Sequence, residues 1–139
     1  MDRPLGRSIR LDIREGIRFS SGCYNSAHSM TEPAARADDA RILIEGASAL
    51  GIRLSNYQVV QFKQYHQALL DWNKTAGLTS VTEWNHVEGR HFLDSLTALS
   101  AMSGLDLDGL QLLDVGSGGG FPGVPLAIAF PGLEMTLLD

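Results

Sequence analysis

The chain has 139 residues, of which 44% are apolar and 19% charged, and a formal net charge of −5. This suits one globular domain of ordinary size with room for a hydrophobic core. The single cysteine, Cys23, excludes an intramolecular disulfide and a thiolate metal cluster, which fits a reducing cytoplasm. No apolar run reaches the roughly 18 to 20 residues of a membrane-spanning helix, and no basic stripe offers a nucleic-acid backbone clustered Lys and Arg.

Residues 1–29 read as a non-native or disordered leader. Arg3, Arg7, Arg10, Arg14 and Arg18 are interrupted by Asp2, Asp12 and Glu15, so the acid-poor pattern of a transit peptide is missing, as is the apolar segment of a secretory signal. Translation is expected to start at Met30, because Met30-Thr31-Glu32-Pro33 opens the first helical pattern.

Residues 30–109 read as a helical lobe. Thr31-Glu32-Pro33 starts a helix whose apolar face includes Leu43, Ala47 and Leu50 and which ends near Gly51. Ser55-Asn56-Tyr57-Gln58 is a capping box opening a second helix. Its expected buried stripe is Val59, Phe62, His66, Leu69 and Trp72, and Gly77 ends it. Thr82 is the expected cap of a third helix, carrying Val87, Leu93, Leu96 and Leu99 and stopping near Gly104. His91 and Asp94, three apart, share a helix face and are close enough in sequence to pair. Trp72 and Trp84 read as packing residues. Lys74 suits a favourable dipole interaction at a helix C-terminus, although Asn73 and Lys74 are also placed to touch a polyanion. His28, His66, His86 and His91 lack partners at metal-ligand spacing, so no metal site is expected.

Residues 110–139 carry the chemistry. Gln111-Leu112-Leu113-Asp114-Val115 reads as a short buried strand, Pro122 to Phe130 as a helix, and Leu133 to Asp139 as a second strand. Pro122 suits the first helical position and Pro125 the fourth, where no internal hydrogen bond is lost. Strand, helix and strand make a βαβ unit of a parallel sheet. Between the first strand and the helix lies Gly116-Ser117-Gly118-Gly119-Gly120-Phe121-Pro122-Gly123. Its glycines accept positive φ and leave no Cβ between backbone and ligand. Asp139, about 20 residues on, is placed to bind ribose hydroxyls.

Two ligands fit this pattern. Gly118-x-Gly120-x-x-Gly123 satisfies a dinucleotide fingerprint, which leaves an NAD(P)-dependent oxidoreductase open. Asp114 two residues before the first glycine, with the spacing Gly116-x-Gly118-x-Gly120, favours S-adenosyl-L-methionine. A diphosphate is poorly served by so near a carboxylate, whereas a cationic methionyl end is not. The expected cofactor contacts are Asp114, Gly116, Ser117, Gly118, Gly120, Phe121 and Asp139, with Asp114 either tethering the loop or approaching the methionyl amino group. A non-enzymatic nucleotide-binding module is the third possibility.

Residues 112–139, and above all Gly120-Phe121-Pro122-Gly123-Val124-Pro125-Leu126, resemble the first cofactor motif of the small-subunit rRNA methyltransferase G family, also called glucose-inhibited division protein B. Leu70-Asp71-Trp72-Asn73-Lys74, Leu78-Thr79-Ser80 and Arg90-His91-Phe92-Leu93-Asp94-Ser95-Leu96 resemble its amino-terminal helical region, so the likeness covers roughly residues 40–139. Gly77 departs from it, since the family usually has asparagine there. The resemblance implies a Rossmann-like S-adenosylmethionine-dependent methyltransferase fold preceded by a helical lobe. It also implies methylation of guanine N7 in small-subunit (16S) ribosomal RNA, a cytoplasmic location, and the rRNA or the ribosomal subunit as partner. It further implies that Arg90, His91 and Asp94 face the cofactor crevice or the RNA. The chemistry needs no general base, because N7 carries an available lone pair. A doubly wound sheet needs more strands than these two. The chain therefore reads as a fragment truncated after the second strand, inactive alone, whose RNA phosphates are met elsewhere.

Overall fold

The computed structural model describes residues 8–12, 18–19, 40–77 and 79–139. Met30, the proposed helix start at Thr31-Glu32-Pro33, Cys23, His28 and Leu78 lie outside the described residues. In chain order the elements are β1 (Ser8–Asp12), β2 (Arg18–Phe19), α1 (Arg41–Ala49), α2 (Asn56–Ala76) and α3 (Trp84–Val87). A π-helical segment (Glu88–Leu93) follows, then α4 (Asp94–Leu96), a 3₁₀ segment (Thr97–Met102), β3 (Gln111–Val115), α5 (Gly123–Ala129) and β4 (Glu134–Leu138).

The helix ends follow local chemistry. The α1 helix closes with Gly51 at φ +78°. There the Gly51 N–H donates to Ser48 O at 3.0 Å and the Ile52 N–H to Ala47 O at 2.8 Å, the paired bonds of a Schellman ending. Leu43 and Ala47 are fully buried, but Leu50, one residue past the helix, is exposed. At the start of α2, Ser55 Oγ accepts from the Gln58 N–H at 3.2 Å and Gln58 Oε1 from the Ser55 N–H at 2.8 Å, as a capping box requires. Gly77 caps α2 at φ +60° and ψ +41°, donating to Asn73 O at 3.1 Å. Asparagine also tolerates this left-handed conformation, so the glycine here and the asparagine expected from the resemblance meet the same backbone demand.

Two faces differ from expectation. The buried stripe of α2 is Val59, Phe62, Tyr65 and Leu69; His66 is half-buried and Trp72 is 45% exposed. Steps of three, three and four follow the helical period as well as the expected series did, and only the packing chooses Tyr65 over its neighbour. The third helix is not one α-helix, and its N-cap is Glu83 rather than Thr82. Its π-helical stretch closes hydrogen bonds over a wider turn, so Phe92, five residues past Val87, points inward and is fully buried beside Val87 and Leu96. Leu93 and Leu99 are only half-buried.

The βαβ unit forms as expected, with tighter bounds. Strands β3 and β4 are parallel, in the register Leu112 to Met135 and Asp114 to Leu137. Helix α5 starts at Gly123, so Pro122 is its N-cap and Pro125 its third residue, still within the turn whose N–H groups have no helical partner. All seven residues of α5 are buried, because the sheet covers one side and the lobe the other.

The β3 strand is not buried on both faces. Leu112 and Asp114 are half-buried, while Leu113 and Val115 are 59% and 69% exposed. Among the described residues, helix covers only the face that meets α5. The sheet order is β2-β1-β4-β3, with β1 antiparallel to β4 and Arg10 paired to Glu134 at 2.5 Å. Within the segment expected to be a leader, Ser8–Asp12 and Arg18–Phe19 are therefore strands.

Candidate functional site

The glycine turn begins where β3 ends and is held at its base by β4. Leu138 O accepts from the Gly116 N–H at 2.7 Å and from the Ser117 N–H at 3.3 Å. Ser117 O then accepts from the Gly120 N–H at 2.7 Å and the Phe121 N–H at 3.1 Å, folding the turn back on itself. Gly116, Gly118 and Gly120 have φ of +75°, +52° and +98°, so each needs the conformation that glycine alone takes without steric cost.

The glycines face two environments. A Cβ added at Gly116 or Gly118 would meet nothing within 4 Å, so that side of the turn is open. A Cβ at Gly120 would lie 2.7 Å from Val124 and 3.0 Å from the Tyr65 hydroxyl, and one at Gly123 would lie 2.4 Å from Leu137. Gly120 and Gly123 are packing glycines; Gly116 and Gly118 border free space. Among the described residues, no backbone acceptor takes the N–H groups of Gly118 and Gly119. An open turn with two available donors at the end of a parallel strand can present its backbone to a ligand.

The carboxylates take separate roles. Asp114 Oδ2 accepts from the Gly123 N–H at 2.9 Å and so ties β3 to the start of α5. Burial pushes its carboxyl above the usual aspartate range, and the Gly123 bond opposes that shift. Of the two expected roles for Asp114, tethering is the one with a contact. Asp139 is exposed and directly follows Leu138, whose carbonyl holds the first two N–H groups of the turn; it therefore stands beside Gly116 and Ser117.

The lobe reaches the turn through aromatic side chains. The Tyr65 hydroxyl donates to Gly119 O at 2.6 Å. The Phe121 ring stacks on His91 with centroids 4.6 Å apart and an interplanar angle of 26°, and lies 5.6 Å from Tyr65. Phe121, expected at the cofactor, thus commits its ring to anchoring the turn. His91 Nε2 pairs with Thr79 Oγ1 at 2.8 Å rather than with Asp94. Thr79 is clamped in turn by Asn73, whose amide donates to Thr79 O at 2.8 Å and accepts from its N–H at 2.9 Å. Asn73, Thr79, His91 and Phe121 make one chain of contacts from the end of α2 to the turn.

Arg90 and Asp94 are exposed and do not join that chain. Lys74 pairs with Asp71 at 2.9 Å on the surface. Tyr65 and Thr79 were missed by sequence reasoning. The signal for Tyr65 was its place between Phe62 and Leu69, masked because His66 fits the same period.

Among the described residues no group of three or more His, Cys, Asp or Glu side chains forms a metal-binding cluster, and no helix is long and apolar enough to cross a membrane. The profile of the family described as rRNA small subunit methyltransferase G matches residues 58–139. A relative from Caldanaerobacter subterraneus subsp. tengcongensis, named Ribosomal RNA small subunit methyltransferase G, is 44% identical over 98 residues, covering 70% of this chain and 40% of the relative. Relatives of the same name from Dehalococcoides mccartyi and Alkaliphilus oremlandii are each 47% identical, over 97 and 98 residues, with the same 70% and 40% coverage. The chain spans about 40% of the length of these curated relatives.

Proposed function

Because the chain belongs to the rRNA small subunit methyltransferase G family, we propose that it serves S-adenosylmethionine-dependent methylation of guanine N7 in small-subunit (16S) ribosomal RNA, in the cytoplasm. The β3–α5–β4 unit is read as part of a Rossmann-like methyltransferase sheet. The observation that carries the reading is the turn itself: open space beside Gly116 and Gly118, two N–H donors without backbone acceptors among the described residues, and an exposed carboxylate at Asp139 next to it. These features fit a nucleoside with a cationic tail better than a diphosphate, since Asp114 lies beneath the turn.

When bound, S-adenosylmethionine supplies an electrophilic methyl group on a sulfonium that leaves readily. The residues of this chain bind and orient. Gly118 and Gly119 N–H groups donate to the ligand's acceptor atoms, Asp139 takes the ribose hydroxyls, and Asp114 keeps the turn in register with α5. No residue is assigned as a base, because guanine N7 offers a lone pair without losing a proton; alignment supplies the rate enhancement. Arg90 and Asp94, exposed beyond His91, are assigned to the side from which RNA enters. With a net charge of −5, the chain leaves most phosphate contacts to other residues of the full-length protein or to the ribosomal subunit.

The test is calorimetric titration of the full-length protein with S-adenosylhomocysteine and, separately, NADH. Methylation of small ribosomal subunits, with modified guanines mapped by reductive strand cleavage, completes it. Tighter binding of S-adenosylhomocysteine and a new N7-methylguanine in 16S rRNA are expected. Tighter binding of NADH would overturn the reading in favour of an oxidoreductase. Residues 1–139 alone are expected to transfer no methyl group to RNA, and robust transfer by them would refute that part.

A further inference from the structure

We propose that Tyr65, on the helical lobe, is a positioning residue for the glycine turn: by holding the Gly119 carbonyl it fixes the peptide plane between Gly119 and Gly120, and through it the affinity of the turn for the methyl donor. The inference rests on the methyl-donor reading above for its second half only.

The geometry is specific to that peptide. The Tyr65 hydroxyl donates to Gly119 O at 2.6 Å, while the N–H at the other end of the same peptide, that of Gly120, donates to Ser117 O at 2.7 Å. A peptide is planar, so bonds at both ends set its orientation. Gly120, at φ +98°, is then wedged between Val124 and the same hydroxyl. Without the hydroxyl, three glycines in sequence have wide backbone freedom, and ordering them is left for the ligand to do.

Tyr65 is built for constancy. Its side chain is buried between Phe92, at 5.6 Å, and Phe121, at 5.6 Å. Burial, reinforced by the Asp114 carboxylate, pushes its phenol well above the usual tyrosine range, so it remains a donor across the pH range in which the protein is folded. Its position on α2, whose first turn is bonded through Gln58 to α5, makes the lobe a fixed support for the turn.

Tyr65→Phe keeps the ring and deletes the one bond. In the full-length protein, hydrogen exchange at the Gly120 and Phe121 amides is measured without ligand, beside the affinity for S-adenosylhomocysteine. Exchange at both amides is expected to rise about three- to tenfold and affinity to fall by a similar factor, the size of one net hydrogen bond. Val59→Ala, which thins the same helix away from the turn, is expected to lower the melting temperature with both readouts unchanged. Unchanged exchange in Tyr65→Phe overturns the proposal whatever the affinity does, and wild-type affinity despite faster exchange overturns its second half. If the wild type itself does not bind S-adenosylhomocysteine, the methyl-donor reading fails, and the exchange rates alone decide whether Tyr65 holds the turn.

Discussion

In the helical lobe, polar side chains turn inward and are satisfied there, whereas in the glycine turn there are almost no side chains and the backbone is left open. Gln58 serves two helices at once: its Oε1 accepts from the Ser55 N–H, and its Nε2 donates to Ile128 O and Ala129 O, each at 2.9 Å, at the end of α5. Asn73 clamps Thr79 in both directions. Glu88, 1% exposed, accepts from the Leu43 N–H at 3.3 Å. Among the described residues no buried side-chain nitrogen or oxygen lacks a partner. At Gly118 and Gly119, by contrast, N–H groups meet no backbone acceptor among the described residues, and water or a ligand must serve them. Polar groups closed within the fold hold a shape; polar groups left open by that shape bind. In the proposed reading the lobe is the support and the turn is the site.

The largest test of that division is Phe92→Ala. Phe92 lies against Phe62 at 4.9 Å, Tyr65 at 5.6 Å and Trp84 at 5.9 Å, so its loss empties the centre of the lobe. A cost of about 3–5 kcal/mol is expected by chemical denaturation. Because Phe92 packs against Tyr65, which holds the turn, ligand affinity is expected to fall with it; normal binding after the loss of Phe92 would break the comparison.

Gly118→Ala probes the other region. With φ at +52° and nothing within 4 Å of the new Cβ, it costs about 1–2 kcal/mol of backbone strain and no clash. Its main effect is expected on affinity for S-adenosylhomocysteine, a loss of about tenfold or more read by calorimetry, since the methyl enters the space assigned to the ligand. Strain without loss of affinity would move the ligand to another face of the turn.

The smallest effect is expected from Glu88→Gln, and it depends on pH. Burial raises the Glu88 carboxyl above the usual range, while the Leu43 N–H, Lys63 and Trp84 oppose the shift. A raised folded value means that the native state holds its proton more tightly. That contribution to stability is fully present below the unfolded value, about pH 4, and is lost as pH rises through the folded value. Glutamine keeps an acceptor and carries no charge. The melting temperature of Glu88→Gln relative to wild type is therefore expected to improve from pH 4 to pH 7.5, and a difference independent of pH would sink the assignment.

The sequence by itself determined what local rules decide. The capping box at Ser55 and Gln58, the ending at Gly51, the left-handed cap at Gly77 and the strand–turn–helix–strand of residues 111–138 were legible because each depends on residues a few positions apart. The glycine turn was legible for the same reason, together with Asp114 and Asp139 at its margins. Only the tertiary structure decided the rest. Whether Tyr65 or His66 faces inward depends on what α2 packs against, and the burial of Phe92 depends on a π-helical turn that no periodicity of 3.6 foresees. The exposure of Leu113 and Val115 depends on which faces of the sheet are covered, and the pairing of His91 with Thr79 instead of Asp94 on a loop folding back 12 residues earlier. Local chemistry wrote the turn into the chain, and the packing of distant side chains determined what holds it in place.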